Sequence, residues 1–449
     1  MKKLIILCCA LLSACSSLVE YQPVETINHI RLDSGYRTKN AVVSADENLI
    51  ILMFSGGGSR AAALGYGVLE SFKNTRIRRS QKGGSLLDNI DMVYGVSGGS
   101  VLATYFSLQG SDVVPKFEDN FLKKNFQSEV ISQVFSFSNL PRLTSPQFGR
   151  GDLLQEQFDL ALYKGKTFGD LAKNRKGPFA VISATDMNVG QRIAFTQEFF
   201  DGLCLNLSDL PIARAVAASS AVPLVFSPLT LNNNAGNCRF SMQELDLVIA
   251  SANKDESQRA KNIAELQKIL SLYQNSAERP YIHLVDGGLT DNLGLAGLVD
   301  IYDVAGPELM HKKTLESGLK RIIVININAQ NEVTNEIDKS ADVPATAYVI
   351  NTVINVPIDR NTQTTLRRFR EFTDEWNTFM SKMPMNKRVN MHFVSLGLKD
   401  LPESELKKDV LNISTSFYLP HSDVNKLKRA ANILLQNSKE YQEILKILQ

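Results

Sequence analysis

Residues 91–100 constrain the fold of this chain more than any other stretch. They read Asp91-Met92-Val93-Tyr94-Gly95-Val96-Ser97-Gly98-Gly99-Ser100, and Val101-Leu102-Ala103-Thr104-Tyr105-Phe106 follows as the start of a helix. A short apolar run, then Gly-x-Ser-x-Gly, then a helix, is the order strand, tight turn, helix. Such a turn holds its serine in strained backbone with the hydroxyl exposed, and Gly95 and Gly99 let the chain bend that sharply. A Gly/Ser-rich loop matches the pattern by chance, so the flanking elements carry the weight.

A second unit of the same kind lies upstream. Leu49 to Phe54 is a continuous apolar run, as expected of a strand buried on both faces of a parallel sheet. Ser55-Gly56-Gly57-Gly58-Ser59-Arg60 follows, then Leu64, Val68 and Phe72 at helical spacing. Backbone N–H groups bare of side chains converge on an anion at such a helix start. A phosphate loop is one reading, but the Gly-Lys-Ser/Thr ending and the Gly-x-Gly-x-x-Gly spacing are both missing. Beside a nucleophilic serine the loop suits an oxyanion hole. A third unit is Tyr281 to Val285, a strand leading into Asp286-Gly287-Gly288.

Further strands are expected at Phe179–Ala184, at Arg321–Asn328 and, at a sheet edge, over residues 389–396. Leu210 to Ser220 reads as a small-residue helix able to pack close to the serine turn. Residues 241–276 read as a peripheral helical insertion, with Leu266, Ile269, Leu270 and Tyr273 at helical intervals. Val424, Leu427, Ala431, Leu434 and Leu435 form a helical stripe with Ser422 or Asp423 as N-cap. Helices and strands alternate, so the class is α/β with a mainly parallel central sheet flanked by helices. Phe117, Phe121, Phe126, Phe135, Phe137, Phe148 and Phe158 crowd one segment; core packing is favoured there over a lipid-facing flap.

The N-terminus reads as a targeting segment. Lys2-Lys3 precedes an apolar run, Leu4 to Leu12, too short to span a bilayer. Leu12-Ser13-Ala14-Cys15 resembles the bacterial lipobox, which implies cleavage before Cys15 and its acylation. Ser16 resembles the pattern of lipoproteins sent to the outer membrane, so a lipid-anchored place in a bacterial cell envelope is expected. Residues 1–14 are then a signal peptide and 15–47 a polar tether. A catalytic domain over 48–330 and a C-terminal α/β extension over 331–449, packed on it, complete the expected organisation. Loss of Lys2 and Lys3 lowers the basic count from 49 to 47, against 47 acids. A formally neutral chain has no global field favouring nucleic acid. Cys204 and Cys238 remain after processing. A pair in an exported protein suggests a disulfide, with two unpaired thiols as the alternative. Histidine and cysteine are too scattered for the usual zinc spacings, so no metal or other cofactor is expected.

Gly56-Gly57-Gly58-Ser59-Arg60, Gly95-Val96-Ser97-Gly98-Gly99 and Asp286-Gly287-Gly288, in that order, resemble the patatin-like phospholipase family in its lipoprotein-anchored form. The resemblance implies a three-layer acyl hydrolase with a Ser–Asp dyad. Ser97 is the nucleophile, Asp286 takes its proton, and the loop at Gly56, Gly57 and Gly58 supplies the oxyanion donors. Arg60 matches the family's basic position and fixes that loop; Gly95, Gly99 and Gly287 support the turns. Ser55 and Ala61 depart from the family's usual Asp and Gly. A triad would draw on His311, His392 or His421, but none sits in a strand-end loop with supporting residues; His311 reads as solvated and His283 as packed. Asp291 and Asn292 read as a helix cap. The expected activity is hydrolysis of phospholipid or lysophospholipid acyl esters, with a small-ester carboxylesterase or a non-catalytic lipid-binding lipoprotein as rivals. Nucleotide binding is disfavoured by the missing lysine.

Overall fold

A computed structural model describes residues 18–44, 46–77, 84–239, 258–331 and 339–449. Residues 1–17, with the signal segment and Cys15, lie outside the described residues, as do 241–257 of the expected insertion.

β1 (Asn48–Phe54) is buried from Leu49 onward, as its unbroken apolar run requires. It leads into α1 (Gly58–Asn74), and β2 (Met92–Gly95) leads into α2 (Gly98–Gln109). Next come α3 (Phe126–Val134), α4 (Arg150–Phe158), β3 (Phe179–Asp186), β4 (Arg192–Ala194), α5 (Ile212–Ser219), β5 (Leu229–Asn232) and α6 (Gln258–Gln274). The chain closes with β6 (Tyr281–Val285), α7 (Ala296–Glu316), β7 (Arg321–Asn328), α8 (Thr346–Ser381), β8 (Asn390–Gly397), α9 (His421–Asn437) and α10 (Lys439–Leu448).

The strands form one sheet in the order β5-β6-β3-β2-β1-β7-β8, with β4 beside β3. The block from β3 to β8 is parallel, and β4, β6 and β5 are antiparallel additions. Helices flank this sheet, as expected of a three-layer α/β fold. β8 is the edge strand foreseen over 389–396.

Several expectations need correction. Residues 18–41 do not hang free as a tether. Val24 donates to Asn232 Oδ1 at 2.8 Å, Tyr36 stacks on Phe179 with centroids 4.0 Å apart, and Arg37 pairs with Asp201 at 2.8 Å with both side chains buried. An extended strap anchored at irregular points has no periodicity for a sequence reading to detect. The phenylalanine segment splits: Phe117, Phe121, Phe126 and Phe158 are buried and pack ring against ring, but Phe135 and Phe137 point to solvent. Pro420, rather than Ser422 or Asp423, precedes the first turn of α9. α8 was not expected; its inward stripe of Leu366, Phe369, Phe372, Trp376 and Met380 begins only in its second half.

Cys204 and Cys238 form a disulfide across 34 residues. Closing a loop of that size is worth about 4 kcal/mol in the chain-entropy account.

Candidate active site

The site forms where β1, β2 and β6 end. β1 and β2 are parallel neighbours in register, Phe54 opposite Gly95, so their glycine turns emerge side by side. Ser97 has φ 50° and ψ −124°, a left-handed φ that a non-glycine residue adopts only when its surroundings hold it. Its N–H donates to Ser219 Oγ at 2.9 Å, and its carbonyl accepts from the Ser100 N–H at 2.8 Å and hydroxyl at 2.6 Å. A Cβ at Gly95, Gly99 or Gly287 would lie within 2.5 Å of a backbone oxygen, so these positions exclude any side chain.

Asp286 reaches the same edge by another route. β3 runs past β2: Ile182 faces Gly95, whereas Thr185, three residues on, faces Val285 of antiparallel β6. β6 therefore ends beside the serine turn although it runs against the parallel block. The Asp286 N–H donates to Ala221 O and the Gly287 N–H to Ser219 O, both at 3.0 Å. Thr185 Oγ1 donates to Asp286 O at 2.9 Å. The buried carboxyl is pushed up to about 6 by loss of solvent, opposed by the Gly288 N–H at 2.8 Å and by the Ser97 hydroxyl.

The glycine loop lies against the serine turn; a Cβ at Gly98 would sit 2.0 Å from Gly58 O. The Gly56 N–H donates to Asn292 O at 2.9 Å. That removes Gly56 from the expected oxyanion donors, because its hydrogen is already spent. The N–H groups of Gly57 and Gly58 make no hydrogen bond among the described residues, and they open the N-terminus of α1. Arg60 is buried, donating from Nε to Ala329 O at 2.8 Å and from a terminal nitrogen to Ile413 O at 2.6 Å. Burial lowers its pKa to about 10, and Asp359 works against that shift. Arg60 thus braces the loop from behind. Ser55, one departure from the family pattern, accepts the Ala329 N–H at 2.9 Å and so ties the loop to the end of β7.

Among the described residues no histidine hydrogen-bonds Ser97 or Asp286. His392 lies on edge strand β8 opposite Ile323, and His421 has Nε2 3.3 Å from Lys123 O. His311, expected in solvent, is buried against Trp376 and Phe379 with Nε2 2.7 Å from Lys387 O. His283, expected in the core, is exposed on edge-proximal β6. Asp291 accepts the Ala296 N–H at 2.9 Å and so caps α7. Asn292 instead serves the glycine loop through its carbonyl.

Sequence reasoning placed the small-residue helix near the serine turn but missed Ser219. Its hydroxyl holds the Ser97 N–H while its carbonyl holds the Gly287 N–H, so one residue fixes both turns. A lone serine in an Ala/Ser run gives no signal for this. Ser219→Ala is expected to lower kcat on the order of 10–100-fold through misplacement of Ser97. Steady-state kinetics would show KM and the pH midpoint unmoved, and an unchanged kcat would remove Ser219 from this role.

A family model described as patatin-like phospholipase matches residues 52–299. The "Uncharacterized protein YqhO" of Bacillus subtilis (strain 168) is 29% identical over 194 residues, 41% of this chain and 59% of that protein. The match thus spans less than two thirds of that relative. Human GIVD cytosolic phospholipase A2 is similar with a TM-score of 0.47 and 13% identity, over 95% of this chain and 68% of the other. VipD from Legionella pneumophila is similar with a TM-score of 0.32 and 10% identity, over 98% and 73%. The family model spans more than half of the sequence and takes in all three glycine turns, and the chain belongs to the patatin-like phospholipase family.

Proposed function

We propose that this chain is a lipid-anchored serine acyl hydrolase that cleaves the acyl esters of phospholipids or lysophospholipids. The observation that carries the reading is that buried Asp286 and Ser97 sit on turns joined through Ser219, beside the Gly57 and Gly58 N–H groups, which have no partner among the described residues. Family membership supports the substrate class.

Ser97 Oγ attacks the ester carbonyl as its proton passes to Asp286. A serine hydroxyl is a poor nucleophile without an adjacent base, and burial makes this carboxylate a stronger base than an exposed one. The carbonyl oxygen becomes an oxyanion that accepts from the Gly57 and Gly58 N–H groups, held ready before the reaction starts. Collapse breaks the ester C–O bond, and the leaving alkoxide takes the proton from Asp286. Water then attacks the acyl-enzyme with Asp286 again as base, releasing the fatty acid and restoring Ser97. The anchor rests on the Leu12 to Cys15 lipobox, with acylated Cys15 holding the protein on the bacterial outer membrane.

The test is hydrolysis of a fluorogenic phospholipid and of a short p-nitrophenyl ester by the full chain and by Ser97→Ala. Phospholipid hydrolysis lost in Ser97→Ala is the expected result. Activity on the short ester alone would make the protein a carboxylesterase, and no activity on either would leave a lipid-binding lipoprotein.

A further inference from the structure

We propose that the face carrying Phe135, Phe137, Leu140, Leu224 and Val225 sits in the interfacial layer of a lipid bilayer, brought there by the N-terminal anchor. The inference rests on the lipid-anchored reading above and adds to it an orientation.

Two loops build the face. Phe135 is 74% and Phe137 91% exposed, beyond the end of α3; Leu224 is 65% and Val225 54% exposed, beyond α5. Side chains of that size seldom stand together in water without a partner surface. Neither loop carries charge. In a chain that is 21% charged, residues 130–141 and 215–238 contain no Asp, Glu, Lys or Arg. Within the two loops no ionised group would therefore have to leave water as the face enters the headgroup region, and Arg142 and Arg150, in the segment between them, carry charge that suits a headgroup layer.

Residues 142–151 touch both loops. Arg142 donates to Asn139 Oδ1 at 2.9 Å, a terminal nitrogen of Arg150 donates to Leu224 O at 3.0 Å, and the Gly151 N–H donates to Ser227 Oγ at 2.9 Å. The same segment holds the N-terminal strap. Ser145 Oγ donates to Val19 O at 2.5 Å, and the Tyr21 N–H donates to Gln147 Oε1 at 2.8 Å. Cys15 precedes Leu18 by three residues, a reach of about 10 Å even when fully extended. An acyl chain on Cys15 therefore enters the membrane close to this face, and that short reach selects the bilayer over a protein partner as the occupant.

The face also borders the site. Ala221, whose carbonyl holds the Asp286 N–H, lies three residues before Leu224. Phe226 packs on Phe417 with centroids 6.1 Å apart, and the neighbouring Ser416 carbonyl accepts the Ser59 N–H at 2.7 Å. Lipid against this face is thus next to the segments that frame Ser97.

The single tryptophan, Trp376, is buried and donates to Val389 O at 2.7 Å, so an added tryptophan reports on its own surroundings. The experiment uses the full acylated chain in phosphatidylcholine vesicles, with Ser97→Ala to spare the lipid. Phe137→Trp is expected to emit further to the blue and to be quenched at least twofold by brominated phosphatidylcholine. Met385→Trp, exposed in the turn after α8, is expected to show neither effect. No quenching at 137, or equal quenching at 385, would overturn the proposal. So would a concentration-dependent blue shift of Phe137→Trp in a Cys15→Ser chain without lipid, which would make the face a contact between copies. Fluorescence does not depend on turnover, so failure of the hydrolase reading and failure of the orientation are separable. In the active chain, Phe135→Ser/Phe137→Ser is expected to lower vesicle hydrolysis tenfold or more with p-nitrophenyl ester turnover unchanged.

Discussion

Asp286→Asn is expected to lower kcat on the order of 10⁴-fold at pH 8 while the protein stays folded. The loss follows if, as proposed, Asp286 takes the Ser97 proton in both halves of the reaction. The pH dependence has a definite sign. Below about 6 the buried carboxyl is protonated and has no free base to offer, so the parent rate falls about tenfold per pH unit. Above that value the rate levels off. A histidine with an ordinary pKa of about 6.5 would give a nearly indistinguishable profile in the parent. The variant separates the two, because any residual rate in Asp286→Asn should lack that midpoint. A midpoint that persists in Asp286→Asn, with activity within tenfold of the parent, would make an imidazole the base.

Stability should move the other way. A carboxyl whose folded pKa is raised binds its proton more tightly in the native state than in the unfolded chain. Its burial therefore costs stability as pH rises from about 4 to 6, and the cost stays above that range. A shift to about 6 corresponds to roughly 3 kcal/mol. The uncharged amide removes that cost, so thermal unfolding of Asp286→Asn at pH 8 is expected at or above the parental Tm. A functional group held against its own solvation is a common source of such trade-offs.

Gly58→Ala carries the second large effect. Gly58 has φ 59°, and a Cβ there would lie 2.3 Å from Ser416 O. Alanine therefore meets both backbone strain and a collision with main chain. Ser416 cannot yield easily, because its carbonyl holds the Ser59 N–H and Phe417 beside it packs among Phe126, Phe158 and Phe226. The glycine loop must shift instead, and its N–H groups leave the place where the oxyanion forms. The expected result is a loss of about 10²–10³ in kcat, with about 2–4 kcal/mol less stability by denaturant unfolding. Full activity in Gly58→Ala would place the oxyanion donors elsewhere.

Much of the site was legible because its signals are local. An apolar run, a glycine turn and a helical start fit within about ten residues, and residues 49–64, 91–106 and 281–288 each show that order in full or in part. What escaped was of another kind. The strap over 18–41 is held by single contacts such as Tyr36 on Phe179, which leave no period. Phe135 and Phe137 share the composition of their buried neighbours, and only the end of α3 turns them outward. The first half of α8 exposes Val349 and Val353, so its pattern is broken where a reader would look for it.

The sequence by itself determined the α/β class, the three turns and the likeness to a family of acyl hydrolases, and it pointed to Ser97 and Asp286 as the candidate serine and aspartate. Each depends on backbone freedom and side-chain polarity within one short stretch. Tertiary structure decided how those stretches meet. Antiparallel β6 pairs with the overhang of β3 and so brings Asp286 level with Ser97. Ser219, 122 residues from Ser97, pins both turns, and Asn292 takes the Gly56 hydrogen. Such contacts are fixed by competition among many distant pairings for the same backbone groups, and no single stretch of the chain records which pairing wins.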